Sequence, residues 1–291
     1  MREQPRLRSV LYVPAANSRA LAKAAELACD AVILDLEDAV HPEAKAGARL
    51  AARAALESGA FAGRFVAVRV NGFDEAEDGP GWLVEDLAAI VPAGPDAVLF
   101  PKIRTRDDAE RAQSALDHHF APPALRLWLM IETPRAVLDI AAIAGLAGEP
   151  DSRLAALVLG TNDLAKEMRL PPVPSRLPLL HALSACVLAA RSHGLAVLDG
   201  VHAALGDSVG FEAECLQGRG LGFDGKTLIH PAQIEPANRL FGPSEAELAD
   251  ARALIAAFEA PENAGRGVIV VDGRMVERLH YEMALRLVAL A

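Results

Sequence analysis

Two acidic residues, Glu132 and Asp163, each follow a short apolar run and are candidates to hold one metal ion together. Mg2+ prefers oxygen ligands and usually takes one or two carboxylates, keeping its other positions for water and substrate. Upstream, Asp35-Leu36-Glu37-Asp38 places three more carboxylates within four positions. Asp35, Glu37 and Asp38 would then orient metal-bound waters. Alternatively, Glu37 and Asp38 cap the next helix or pair with Lys45 or Arg49. Arg69 offers a planar fork able to hold a carboxylate or thioester oxygen beside such a metal. A plainer reading makes it an ion-pair partner of Glu37 or Asp38. Lys102 would neutralise the acidic group, and His230 reads as a base or as part of a rigid His-Pro turn. No HExxH or comparable ligand spacing occurs.

Residues this far apart in sequence need a scaffold that gathers them. Short apolar runs alternate with longer Ala- and Leu-rich stretches of helical spacing. The pattern predicts strands at Ser9–Pro14, Ala31–Asp38, Phe65–Gly72 and Ala97–Ile103. It continues with Leu127–Glu132, Ala156–Thr161, Ala196–Gly200 and Thr227–His230. Helices are expected at Ser18–Ala28, Glu43–Leu56, Thr105–His118, Pro134–Leu146 and Pro178–His193. Eight such units match an α/β (β/α)8 TIM barrel. An open doubly wound sheet is disfavoured because no GxGxxG follows a strand.

In a barrel, chemistry belongs at the C-terminal ends of the strands. Polar groups fall there repeatedly: Asp35 to Asp38, Arg69, Lys102, Glu132, Asp163, Asp199, Lys226 and His230. Residues 1–239 read as the barrel and 240–291 as a small C-terminal extension. Within the extension Ser244 caps a helix with Glu247 at the capping-box position. A hairpin of Val268–Val271 and Arg274–Val276 about Asp272-Gly273 precedes a last helix.

Composition narrows the function classes. A chain with 52% hydrophobic and 4% aromatic residues suits buried parallel strands under Ala-rich helices. The net charge of −10 argues against nucleic acid as a main partner. It still permits a small anionic ligand, since a few placed cations reverse the local field. Cys29, Cys186 and Cys215 form no CxxC pair and read as core thiols in a reducing compartment. No signal-peptide pattern or membrane-length apolar run is present, so a cytoplasmic location without membrane contact is expected.

Several strand ends carry a family resemblance. Ser9-Val10-Leu11-Tyr12-Val13-Pro14, Leu34-Asp35-Leu36-Glu37-Asp38-Ala39-Val40 and Arg69-Val70-Asn71-Gly72 resemble the citrate lyase β-subunit-like family of acyl-CoA lyases. So do Phe100-Pro101-Lys102, Ile131-Glu132-Thr133, Gly160-Thr161-Asn162-Asp163-Leu164 and the stretch from Gly225 to Gln233. The ordered match covers nearly the whole chain. It implies the phosphoenolpyruvate/pyruvate barrel superfamily, a Mg2+-bound 2-oxo acid, a CoA thioester and a homotrimer or hexamer. By the same resemblance Glu132 and Asp163 match the metal ligands, and Arg69 matches an arginine that holds substrate and stabilises the thioester enolate. Arg19 and Lys23 lie where relatives contact CoA phosphates, after a loop one residue short, and Lys226 would shape the CoA-side rim. Several lyases have a Gly-x-Met-Val-Asp stretch whose aspartate serves a neighbouring subunit as general acid or base. Here it reads Gly273-Arg274-Met275-Val276-Glu277, so Glu277 keeps the carboxylate on a longer stem.

The resemblance implies cleavage or formation of malyl-, citramalyl- or citryl-CoA, with a 2-oxo acid and an acyl-CoA as the fragments. Two alternatives stand beside it: an acyl-CoA thioesterase on the same scaffold, and a citrate lyase β subunit acting on an acyl carrier protein thioester. A metal-independent sugar-phosphate aldolase is weaker, because no lysine is convincingly placed for a Schiff base.

Overall fold

The computed structural model describes residues 5–73, 81–171, 175–271 and 273–290. Asp272, expected in the hairpin turn, and the first four residues therefore lie outside the described part. Among the described residues, β1 (Ser9–Pro14), β2 (Ala31–Asp35), β3 (Phe65–Arg69) and β4 (Ala97–Ile103) are followed by β5 (Arg126–Ile131) and β6 (Leu154–Leu159). With β7 (Ala196–Asp199) and β8 (Gly225–Leu228) they form a closed parallel barrel in sequence order. The covering helices begin with α1 (Ser18–Ala24), α2 (Lys45–Glu57), α3 (Trp82–Ile90) and α4 (Arg106–His118). Next come α5 (Pro134–Leu138), α6 (Ile140–Gly145), α7 (Thr161–Glu167) and α8 (Leu180–Ser192). α9 (Ser208–Leu221) and α10 (Ile234–Phe241) complete this set.

Strand parity divides the interior into two layers. Ala31 and Ile33, Ala67, Ala97 and Leu99, Trp128 and Met130, Ala156 and Val158, and Ala196 and Leu198 all pack inside the barrel. Alternate residues such as Val32, Leu34, Val66, Val68, Leu157 and Val197 pack outward with the helices. Small alanines leave room for Trp128, whose ring stacks on Phe65 with centroids 5.2 Å apart. Counting upward by two from the inward set reaches Tyr12, Asp35, Arg69, Glu132, Gly160, Gly200 and Thr227. The functional layer is thus the next storey of the same interior.

Two expected elements end early for visible reasons. β2 stops at Asp35 instead of Asp38, because the Asp35 carboxylate accepts the N–H groups of Glu37 (3.0 Å) and Ala39 (3.2 Å). That turn replaces the ladder with a side-chain bond. The helix expected over Pro134–Leu146 breaks at Asp139, whose carboxylate accepts the Arg106 N–H at the start of α4 (2.9 Å).

Beyond the barrel lie α11 (Glu245–Glu259), the antiparallel pair β9 (Val268–Val271) and β10 (Arg274–Glu277), and α12 (Arg278–Ala289). Ser244 and Glu247 form the expected capping box. Arg219 of α9 ties this segment to the barrel through Glu247 (2.8 Å). Cys29, Cys186 and Cys215 are buried free thiols. No helix of the described residues is long and apolar enough to cross a membrane.

Barrel closure depends on Gly225 at the start of β8. A Cβ there would fall 1.8 Å from the Leu7 carbonyl oxygen, in rigid backbone. Gly225→Ala is expected to pry β8 from β1 and cost about 3 kcal/mol or more. Urea unfolding followed by circular dichroism checks this; a midpoint near the wild-type value would contradict it.

Candidate active site

Arg69 ends β3 directly beside Asp35, its registered neighbour on β2. Its Nε and Nη2 donate to the Asp35 carboxylate oxygens at 2.7 and 2.6 Å, a bidentate fork with both groups buried. Glu37 Oε2 lies 2.7 Å from Arg69 Nη1, outside hydrogen-bonding angles. The Tyr12 ring covers the guanidinium, with Cζ 4.9 Å from the ring centroid. Asp35 takes two of the five guanidinium donors, which leaves others for a ligand. Of the two sequence readings, the ion-pair one describes the Arg69–Glu37 contact. The principal partner is nevertheless Asp35, which sequence alone does not single out.

Lys45 does not pair with the carboxylates of Glu37 or Asp38. Its Nζ donates to the backbone oxygens of Leu36 and Glu37 and to Asn71 Oδ1, each at 2.7 Å. Arg49 binds Glu85 and Asp86. Lys45 therefore secures the backbone that carries Glu37. Burial pushes the Glu37 carboxyl up to about 7, against the pull of Arg69. Such a group exchanges protons near neutral pH.

Glu132 follows β5 and is fully buried. Its Oε1 accepts the Lys102 N–H at 2.7 Å, whereas Oε2 has no hydrogen-bond partner. Burial raises the Glu132 carboxyl, while the Lys102 ammonium and N–H oppose the rise. Gly160 makes the site possible, since a Cβ there would lie 2.5 Å from Glu132 Cβ and 2.6 Å from Oε2. Asp163 stands in the first turn of α7 and is partly exposed. Among the described residues no three His, Cys, Asp or Glu side chains form a ready metal cage. A two-carboxylate site suits Mg2+, which retains several waters. The orphaned buried Oε2 and the all-oxygen donors fit a hard cation better than a thiolate- or imidazole-seeking metal.

These groups border a cavity of about 420 Å3 at the barrel mouth. Tyr12, Asp35, Asp38, Arg69, Asp163 and Thr227 are among the residues lining it. Glu132 packs against Gly160, one of the lining residues. Arg19 and Lys23 stand exposed on α1 and make no ion pair among the described residues. Glu277 ends β10, and its N–H donates to His280 Nδ1 (3.0 Å) at the start of α12. It does not line the cavity of its own chain. The structure thus gathers Asp35, Glu37, Asp38, Arg69, Glu132 and Asp163, and leaves Arg19, Lys23 and Glu277 apart.

Asp199 and Lys226 require a correction. Counted as rim residues from sequence, they carry the outward parity of Val197 and Leu228. Lys226 Nζ is fully buried between Asp199 Oδ2 (3.0 Å) and Glu214 Oε2 of α9 (2.9 Å). Arg176 donates to both Asp199 oxygens, and His202 Nδ1 meets Glu214 at 3.1 Å. This cluster fastens β7 and β8 to α9, so Lys226 does not shape the rim. His230 caps its own short turn, accepting the Ala232 N–H, and is not placed as a base.

Sequence reading also undervalues Lys102, although Pro101 inside a central strand signals a bulge. Phe100 pairs with Leu129, but the next registered pair is Ile103 with Ile131, so β4 carries one extra residue. Lys102 sits there at φ 57°.

A family model described as HpcH/HpaI aldolase/citrate lyase matches residues 8–231. A (3S)-malyl-CoA thioesterase of Cereibacter sphaeroides is 47% identical over 284 residues, covering 98% of this chain and 94% of the relative. The citrate lyase subunit beta of Escherichia coli is 33% identical over 277 residues, covering 93% and 88%. The structure of the CitE protein of Mycobacterium tuberculosis, in complex with magnesium, acetoacetate and coenzyme A, shares 28% identity at a TM-score of 0.74. It covers 99% of each chain. The resemblance drawn from the strand ends is therefore sound.

Asp199 shows how the outward cluster contributes to stability. Burial alone would raise its pKa, but Lys226 and Arg176 hold it below the ordinary carboxylate value. With the folded pKa below the unfolded value of about 3.9, this stabilisation is complete above that pH and lost as pH falls through the folded pKa. Lys226→Met should cost about 3–5 kcal/mol at pH 7 by leaving a buried carboxylate under-compensated. The gap between variant and wild type should narrow in acid. Urea titrations across pH test this, and a pH-independent gap would contradict it.

Proposed function

The chain belongs to the HpcH/HpaI aldolase/citrate lyase family, and from that premise we propose a Mg2+-dependent enzyme that hydrolyses a β-hydroxyacyl-CoA thioester of the malyl-CoA type. The observation carrying this reading is full-length 47% identity to a malyl-CoA thioesterase, joined to a mouth that offers two carboxylates and a braced guanidinium. Glu132 and Asp163 would hold the ion. When bound, Mg2+ supplies a Lewis acid for the oxygens at the hydroxy-acid end of the substrate. Arg69, fixed by Asp35, presents its remaining N–H donors to a substrate oxygen. In hydrolysis, water adds to the thioester carbonyl carbon, the C–S bond breaks, and the departing sulfur receives a proton.

Carbon–carbon cleavage is the second reading, favoured by the citrate lyase relative. It starts from the same bound substrate, removes the hydroxyl proton and yields a 2-oxo acid plus an acyl-CoA enolate. Exposed Arg19 and Lys23 support free CoA over an acyl carrier protein. Incubating malyl-CoA with enzyme and Mg2+ discriminates the reactions. Free CoA and malate support hydrolysis, whereas acetyl-CoA and glyoxylate support lysis. Chelation, Glu132→Ala and Asp163→Ala are each expected to abolish turnover with the fold retained. Arg69→Lys should lose on the order of a hundredfold in kcat, about 2.7 kcal/mol, because an ammonium cannot reproduce the fork.

For Glu277 we propose a role in a neighbouring subunit of a homotrimer or hexamer. Residues 240–291 form the extension that would reach across, and Val270, Met275 and Met283 expose apolar surface on it. Mixing inactive Glu277→Ala and Glu132→Ala chains should restore part of the activity, since some sites would receive both intact groups. Mixed oligomers without rescue, or a fully active monomer, would remove the shared-site role.

A further inference from the structure

Lys102 makes two separable contacts with the carboxylates at the barrel mouth. Its backbone N–H donates to Glu132 Oε1 at 2.7 Å, a bond made possible by the β4 bulge and the left-handed φ of 57°. That conformation costs a non-glycine residue roughly 1–2 kcal/mol, so the surrounding structure must impose it. The side chain reaches toward Asp38 and Asp163, two residues that line the cavity.

The ammonium is centred among acids rather than bonded to one of them. Nζ lies 3.6 Å from Asp163 Oδ2, 3.7 Å from Glu37 Oε1, 3.8 Å from Glu132 Oε1 and 3.9 Å from Asp38 Oδ2. A committed charged hydrogen bond is roughly 2.7–2.9 Å long, as the Arg69–Asp35 pair shows nearby. Burial disfavours the Lys102 charge, but the four surrounding carboxylates raise its pKa above the usual lysine value. The side chain is 40% exposed on a flexible four-carbon stem, so solvent offers it a way out. It stands between Glu132 and Asp163, the residues assigned above to the metal.

We propose that Lys102 is a tethered cation that stands in for the divalent ion in the metal-free protein and withdraws when the ion enters, thereby setting metal affinity. The inference rests on the Glu132–Asp163 metal reading. The Lys102 charge would offset the mutual repulsion of Glu37, Asp38, Glu132 and Asp163, all within 4 Å of Nζ. The ammonium's withdrawal leaves the backbone N–H on Glu132, so that carboxylate remains aimed while the cation is exchanged.

The test measures Mn2+ binding by electron paramagnetic resonance of the free ion and Mg2+ binding by calorimetry on the full chain. Lys102→Met retains the backbone N–H and removes the charge. It is expected to bind the metal on the order of tenfold more tightly, with a lower melting temperature when metal-free. Lys102→Arg keeps the charge and should show no gain in affinity. Unchanged or weaker binding by Lys102→Met overturns the inference, provided that Glu132→Gln abolishes binding. Binding that survives Glu132→Gln instead overturns the metal reading beneath it. Should Lys102→Met fail to fold, a crystal structure of the metal-loaded wild type decides. Nζ withdrawn from between Glu132 and Asp163 supports the exchange, and Nζ still seated there overturns it.

Discussion

A carboxylate and a guanidinium held fork to fork on adjacent strands mark where the apolar interior of this barrel gives way to chemistry. Asp35 and Arg69 occupy the inward positions directly above Ile33 and Ala67. Burying either ion alone would be strongly unfavourable, and removing one partner of such a pair typically costs about 3–5 kcal/mol. The pair also shapes the turn beyond β2. Asp35 draws in the N–H groups of Glu37 and Ala39, which ends the strand and swings Glu37 against Arg69. Lys45 then locks that turn through two backbone carbonyls. The acidic mouth is thus folded around a guanidinium that is itself buried and doubly bonded to Asp35.

A guanidinium braced in this way has a consequence for reaction type. In the proposed function it would give a substrate oxygen a fixed partner without choosing which neighbouring bond breaks. Hydrolysis requires water in line with the thioester carbonyl carbon, whereas carbon–carbon cleavage requires a base at the hydroxyl. Relatives named for each chemistry share this scaffold with the chain. The choice between them falls to the groups that govern water and protons around the cavity.

Much of this is legible in the sequence. The strands Ser9–Pro14 and Ala97–Ile103 have the predicted bounds, because buried parallel strands read as uninterrupted apolar runs. Glu132 directly follows one such run, and Asp163 falls in the first turn of the helix after another. The failures share a cause: side-chain bonds between distant residues leave no local pattern. Asp139 breaks a good helical stretch to hold the N–H of Arg106, a residue 33 positions away. The Asp35–Arg69 bond is invisible for the same reason, because a registered neighbour 34 positions away cannot be seen from sequence. The placement of Asp199 and Lys226 is a different kind of miss. Their parity relative to Val197 and Leu228 is already present in the sequence, and counting by two turns them outward. Lys102 likewise carries its signal in the preceding proline.

The parity of β7 and β8 also bears on how this scaffold tolerates change. Thr227 faces the cavity, while Asp199 and Lys226 face the helices, Lys226 only one residue away along the same strand. The strand backbone is a wall between two polar networks, one lining the mouth cavity and one fastening β7 and β8 to α9. Thr227 Oγ1 donates to the Asp199 carbonyl, so even the contact between them runs through main chain rather than charge. Substitutions on the inner side can therefore retune what the mouth accepts while the outer clasp keeps its partners. Selection can work on substrate choice and on durability as nearly separate traits.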